Sequence, residues 1–177
     1  MRLLALLVCT LALALGCSKS DAPPAAQARD NPRRMFQLAR LEKVELEAGG
    51  HRFKAWLMDT PLKQEEGMMH LTDEEVGADD AMLFAFDEPR SMTFWMKDTL
   101  IPLDIAFISP DGKVLNVEVG HPLDESAVPS KGVAQFVVET KAGAAARLGL
   151  TSGAVVKLPP PLTKPVPNTK ANPPAKG

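Results

Sequence analysis

Residues 89–108 read PRSMTFWMKDTLIPLDIAFI. Two apolar segments, Ser91–Met96 and Leu103–Ile108, flank a short polar piece, Lys97-Asp98-Thr99. In the second segment Leu103, Ile105 and Phe107 alternate with Asp104, Ala106 and Ile108. That is strand periodicity, carried by β-branched and aromatic side chains. Pro102 has no N–H for a ladder and fits a strand start. The stretch therefore reads as strand, tight polar crossover, strand. The crossover gathers Arg90, Trp95, Lys97, Asp98, Thr99 and Asp104. Polar groups this dense between two segments that must be buried mark a candidate site.

The chain on either side extends the β reading. Ser109-Pro110-Asp111-Gly112 is a turn, with proline presetting φ and glycine free to take φ > 0. Lys113–Val119 resumes alternation and is expected to pair with Leu103–Ile108 as a hairpin. Upstream, Lys43–Ala48 and Arg52–Met58 alternate about Gly49-Gly50, a second hairpin signal. Thr60-Pro61 opens a short helix, Pro61–Glu66, with Gly67 ending it. Thr72-Asp73-Glu74-Glu75 has capping-box spacing. Ala81–Phe86 and Val133–Glu139 read as strands, the latter with Ala134, Phe136 and Val138 on its buried face. Ala142–Leu148 reads as an alanine-rich helix and Ala154–Leu158 as a last short strand. The expected fold class is mainly β: a single antiparallel β-sandwich or partly open barrel with two or three short helices, spanning residues 42–158.

The ends differ in composition. Met1–Gly16 reads as a secretory signal, with Arg2 and then a thirteen-residue apolar run, Leu3–Leu15, too short to span a bilayer comfortably. Leu13-Ala14-Leu15-Gly16-Cys17 resembles a bacterial lipobox, which implies a lipoprotein acylated on Cys17. Cys9 would leave with the signal, so the mature chain would hold no thiol for a disulfide, metal site or nucleophile. Residues 17–41 read as the lipidated cysteine and a flexible tether, though Met35–Leu41 reads equally as a short helix or an extended lead-in. Residues 159–177 hold seven of the sixteen prolines and no apolar periodicity, and read as a disordered Pro/Lys-rich tail.

Charge is placed unevenly. Residues 42–157 carry 20 acidic and 11 basic side chains, whereas residues 18–41 carry five basic and two acidic. A domain this acidic repels phosphates, so no nucleic-acid partner is expected. The basic leader suits anionic head groups. Ser18 after Cys17 favours the outer membrane, on the periplasmic side of the envelope.

Several motifs carry a family resemblance: Glu66-Gly67-Met68-Met69-His70, Met82-Leu83-Phe84, the Pro89–Ile105 stretch, Asp111-Gly112-Lys113-Val114, Ala142-Gly143 and Leu148-Gly149. Together they resemble the domain-of-unknown-function family 192, over roughly residues 42–158. The resemblance implies an all-β, sandwich-like domain, often exported, with no established activity. Three positions depart from the pattern: Asp98 where asparagine is usual, Leu71 where a basic residue is common, and Ala154 where aspartate usually follows the glycine.

For the candidate site two readings compete. In the structural one, Asp98-Thr99 cap a turn and a buried Asp104 pairs with Arg90 or Lys97. In the other, Trp95 walls a ligand cleft, Arg90 and Lys97 bind an anionic or carbonyl group, and Asp104 orients them. A hydrolase using Asp98 or Asp104 as acid/base is a further alternative, and a structural envelope component another. Glu66 and His70 are four apart, but Gly67 between them breaks the helix, leaving a surface Glu and a loop His. His51 and His121 lack metal-ligand spacing, so no metal and no cofactor is expected. The methionines read as core filling. The leading expectation is a lipid-anchored envelope binding or accessory module, its partner a small ligand or an envelope protein.

Overall fold

The computed structural model describes residues 30–160 and residue 162; the expected signal, lipobox-like segment and most of the expected Pro/Lys-rich tail lie outside the described residues. Seven strands form one mixed sheet: β1 (Lys43–Ala48), β2 (His51–Met58), β3 (Ala81–Phe94), β4 (Leu103–Ile108), β5 (Val114–Gly120), β6 (Val128–Lys141) and β7 (Val156–Lys157). Two short helices accompany them, α1 (Pro61–Glu66) and α2 (Ala144–Arg147). The spatial order is β5-β4-β6-β3-β2-β1-β7. The sheet curls into a half-barrel. At one end its edges meet: the Val114 amide donates to the Ala154 carbonyl at 2.8 Å and the Val156 amide to the Gly112 carbonyl at 2.8 Å.

Both local hairpins form as expected. β1 pairs antiparallel with β2 about Gly49 and Gly50, which both hold positive φ, and β4 pairs antiparallel with β5. α1 begins where Thr60 caps it, the hydroxyl accepting from the Lys63 amide, and ends at Gly67. Capping-box chemistry at Thr72–Glu75 makes a turn rather than a helix, with Glu75 Oε2 accepting from the Thr72 amide and hydroxyl, both at 2.9 Å.

Two pairings differ from an all-antiparallel meander. β2 and β3 run parallel, because the α1 excursion carries the chain back across the sheet before β3 starts. β3 and β4 do not touch as neighbours; β6 lies between them and pairs antiparallel with both. The Pro89–Ile108 stretch therefore crosses over a strand. β3 is also longer than the two separate segments expected, joining them in one strand with register shifts between Ala85 and Arg90 and between Ser91 and Thr93. Pro89 falls inside the first shift, where no ladder hydrogen bond is required of it.

The middle of the sheet is buried on both faces. On one face Ala81, Leu83, Ala106, Ile108, Phe136 and Val138 pack with β1, β2 and α2. On the other, Met82, Phe84, Leu103, Ile105, Phe107 and Val137 are covered by the loops carrying Met68, Leu71, Val76, Met96 and Ile101. Residues 31–41, which the sequence assigns to the tether, lie on this second layer. Leu38 and Leu41 pack against it, and Leu38–Arg40 form a single 3-10 turn.

Candidate functional site

The covering layer on the second face leaves a cleft of about 370 Å³. α1 and the loop after it form one wall, with Glu65, Glu66, Gly67, Met68 and Met69. The distal half of β3 forms the other, from Arg90 to Trp95, and Phe84, Phe86 and Thr99 also line it. Gln64 fixes α1 in place by donating to the Met58 carbonyl at 3.2 Å and the Ala85 carbonyl at 2.8 Å. Four phenylalanines make the interior stiff: Phe94 meets Phe84, Phe86 and Phe107 edge-to-face, with centroids 5.2, 6.4 and 5.6 Å apart.

The six expected site residues divide between the cleft and its surroundings. Arg90, Trp95 and Thr99 line it. Arg90 is exposed and lies over the Phe86 ring at 4.6 Å. Trp95 is 48% exposed, and the Lys97 ammonium stands 5.3 Å from its ring. Thr99 is buried, its hydroxyl donating to the Lys97 carbonyl at 3.1 Å. Asp98, exposed, takes φ 52 at the corner, and its carbonyl accepts from the His70 amide at 2.8 Å. That bond ties the crossover to the loop after α1. Lys97 and Asp98 do not line the cleft.

Asp104 faces the other side of the sheet. It is buried opposite Thr140 and accepts from the amides of Gly143, at 2.8 Å, and Ala145, at 3.1 Å. Gly143, the N-cap residue before α2, has no side chain to satisfy these donors. Asp104 supplies the cap from a neighbouring strand. Its partners are therefore amides, not Arg90 or Lys97 as the sequence suggested. The buried carboxylate is stabilised by charge-assisted hydrogen bonds.

Two arrangements of charge that the sequence did not reveal are central here, the Arg34–Glu66 pair and Glu139. Glu66 is not a free surface side chain. It accepts from the Met35 amide at 2.6 Å and the Phe36 amide at 3.0 Å, and its Oε2 lies 3.2 Å from Arg34 Nη2. Arg34, whose side chain is 1% exposed, also donates from Nη1 to the Met69 carbonyl at 2.5 Å and from Nε to the Phe36 carbonyl at 3.1 Å. Its Nη2 is near enough to Glu66 to pair but is not aligned for a hydrogen bond. Burial pulls the guanidinium below its ordinary pKa, opposed by Glu66. Asn31 adds bonds to the His70 carbonyl, 2.9 Å, and Glu75 Oε1, 3.0 Å. The leader thus clamps the outside of one cleft wall.

The other is Glu139, near the C-terminal end of β6, between Met82 of β3 and Ile105 of β4. It lines the cleft yet is buried, and its Oε2 has no hydrogen-bond partner. Burial raises its pKa to about 8, with Arg34 pulling the other way. Gly67 leaves room for this carboxyl: a Cβ added there would stand 3.1 Å from Phe84 Cζ and 3.6 Å from Glu139 Oε2. The sequence signal was available in Phe136-Val137-Val138-Glu139, an apolar run without alternation. Such a run marks a strand buried on both faces. Among the described residues no three His, Cys, Asp or Glu side chains come together as metal ligands.

The fold and cleft define a small β-domain of a recognised but functionally unassigned class. Residues 44–158 match the family model DUF192, described as Uncharacterized ACR, and the chain belongs to that family. It is similar to a solved protein of unknown function from Novosphingobium aromaticivorans DSM 12444, at 34% identity and TM-score 0.63, over 75% of this chain and 94% of that one. It is also similar to a structure described as a putative transcription regulator from Sinorhizobium meliloti 1021, at 32% identity and TM-score 0.59, over 66% of this chain and 92% of that one. No functionally curated protein matches the sequence. Leader residues 30–41, with Arg34, precede the matched region.

Proposed function

We propose that this protein is a ligand-binding module of the bacterial envelope, lipid-anchored through Cys17, whose cleft beside Trp95 holds a small molecule. The observation that carries the reading is the cleft itself. About 370 Å³ lies within the ordinary range of small-molecule sites, and its lining is the usual mixture of aromatic walls and a few polar groups. Half-exposed Trp95 at its edge is costly to leave in water and is well suited to cover a bound apolar body. The hydrolase alternative lacks comparable support, because Asp104 is committed to capping α2 and faces away from the cleft. The lipobox-like Leu13–Cys17 supports anchoring, and Ser18 the outer membrane.

Thermal-shift screening with small molecules tests the binding role, using Trp95→Ala as the counter-screen. Hits should raise the melting temperature of the parent protein and leave the variant unmoved. Shifts that persist in the variant would place binding elsewhere. Metabolic labelling with palmitate tests the anchor: label should enter the parent chain and vanish in Cys17→Ala.

A further inference from the structure

The cleft has a chemical polarity that narrows its ligand. Glu139 and Arg90 mark different ends of it. Arg90 is opposite Ala134, five residues along β6 from Glu139. At about 3.3 Å per residue, the two backbone positions are about 16 Å apart. Glu139 is a buried acid whose Oε2 has no donor. A buried carboxylate without a donor is costly, and a donor brought by a ligand would offset that cost.

Resting on the binding reading above, we infer that the cleft takes an organic cation, a primary amine or amidinium on an apolar body, whose N–H groups bond to the Glu139 carboxylate. The charges facing Glu139 agree. Arg34, from the leader, is engaged by Glu66, with Glu75 acting on it from the following turn. Glu65 and Glu66 line the cleft from α1, and Arg90 from β3. With Glu139 ionised, the cleft lining carries three acids, Glu65, Glu66 and Glu139, against one guanidinium, Arg90, and Arg34 outside the lining is already paired with Glu66, so the site favours a further positive charge. The walls suit such a guest: aromatic faces attract ammonium groups, and methionine thioethers accommodate irregular alkyl bodies. The Arg90 guanidinium lies over the Phe86 ring, and its backbone stands well along the sheet from Glu139.

Binding is then coupled to a proton. Free Glu139 holds its proton through neutral pH, since burial pushes its pKa to about 8. On binding, the carboxyl releases that proton to solvent and the resulting carboxylate pairs with the ammonium. Affinity should therefore rise by about tenfold per pH unit between pH 6 and 7.5, and level off above 8.

Phenethylamine, 2-phenylacetamide and phenylacetate form a probe series with similar bodies and different charge. Isothermal titration of each into the purified protein, in two buffers of different ionisation enthalpy, reads affinity and proton release together. The expected result is binding of phenethylamine with about one proton released at pH 6.5, and at least a tenfold loss in Glu139→Gln. Glu139→Gln should fold, being neutral and of the same shape, and its melting curve checks this. Binding of phenylacetate or the amide in preference, quenching Trp95 fluorescence, would overturn the cation assignment and leave the cleft reading standing. Absence of binding by all three would overturn both. Phenethylamine binding unaffected by Glu139→Gln would overturn the role of Glu139 alone.

Discussion

Arg34 and Glu66 form an ion pair of 3.2 Å beneath the cleft wall, joining the leader to the turn that ends α1. The guanidinium is nearly sealed from solvent, and Glu66 closes the arrangement by accepting two leader amides. The strength of such a pair lies in what its loss leaves behind. Removing one partner of a buried pair strands the other and costs about 3–5 kcal/mol.

Arg34→Ala should therefore lower the melting temperature markedly, whereas Lys63→Ala, which breaks the solvent-facing pair with Asp59 at 2.7 Å, should change stability by at most about 1 kcal/mol. Chemical denaturation of both variants checks the contrast. Equal, small effects would mean that the leader does not hold the domain.

Asp104→Ala should destabilise the domain by about 1–2 kcal/mol through loss of the α2 cap, with more if the buried amides of Gly143 and Ala145 find no water. Asp104→Asn keeps an acceptor oxygen and should recover part of the loss. Because Asp104 lies on the opposite face from the cleft, neither variant should alter ligand affinity once the protein is folded. A melting curve and a titration on the same sample separate the two effects.

Gly67→Ala tests the space in front of Glu139. Gly67 has φ 44 and ψ −128, a conformation that side chains avoid, and an added Cβ would stand 3.1 Å from Phe84 Cζ. The variant should lose about 1–3 kcal/mol of stability, and any ligand that reaches Glu139 should bind more weakly. An unchanged unfolding midpoint in urea would contradict this account of the turn.

The local parts of this fold were legible because their causes are local. Gly49-Gly50 and Pro110-Asp111-Gly112 specify their hairpins by backbone conformation, and Thr60, Pro61 and Gly67 set both ends of α1 within one residue. The insertion of β6 between β3 and β4 was not legible, since strand alternation identifies a buried face and is silent on which partner covers it. The same limit hid the depth of Glu139. Phe136 and Val138 announced one buried face of β6. The opposite face is buried by loops from residues 67–76 and 96–101, distant in sequence. Of the expected site residues, Arg90, Trp95 and Thr99 reach the cleft because they follow β3 along its edge. Asp104 does not, because strand periodicity turns it to the other face. Arg34 was masked by its setting: a basic residue in a Pro/Ala-rich leader resembles tether until its partner, Glu66, is located in space.

Stability should also carry a signature of Glu139. Its folded pKa, about 8, lies above the ordinary value of 4.5. The folded state therefore binds the proton more tightly, and its contribution is complete below pH 4.5. That contribution is lost as pH rises towards 8, and stability is level in this term above it. Denaturation across pH 5–9 should show the parent protein weakening with rising pH relative to Glu139→Gln, with the two curves running parallel above pH 8.5.

The most direct measurement is the ionisation of Glu139 itself, followed by carboxyl carbon NMR in protein labelled at glutamate and assigned with Glu139→Gln. The account predicts one glutamate titrating near pH 8 in the free protein, absent from the variant. A Glu139 midpoint in the ordinary carboxylate range, near 4.5, would mean that the carboxyl is solvated or paired, and would contradict a buried, unpartnered acid lining the cleft.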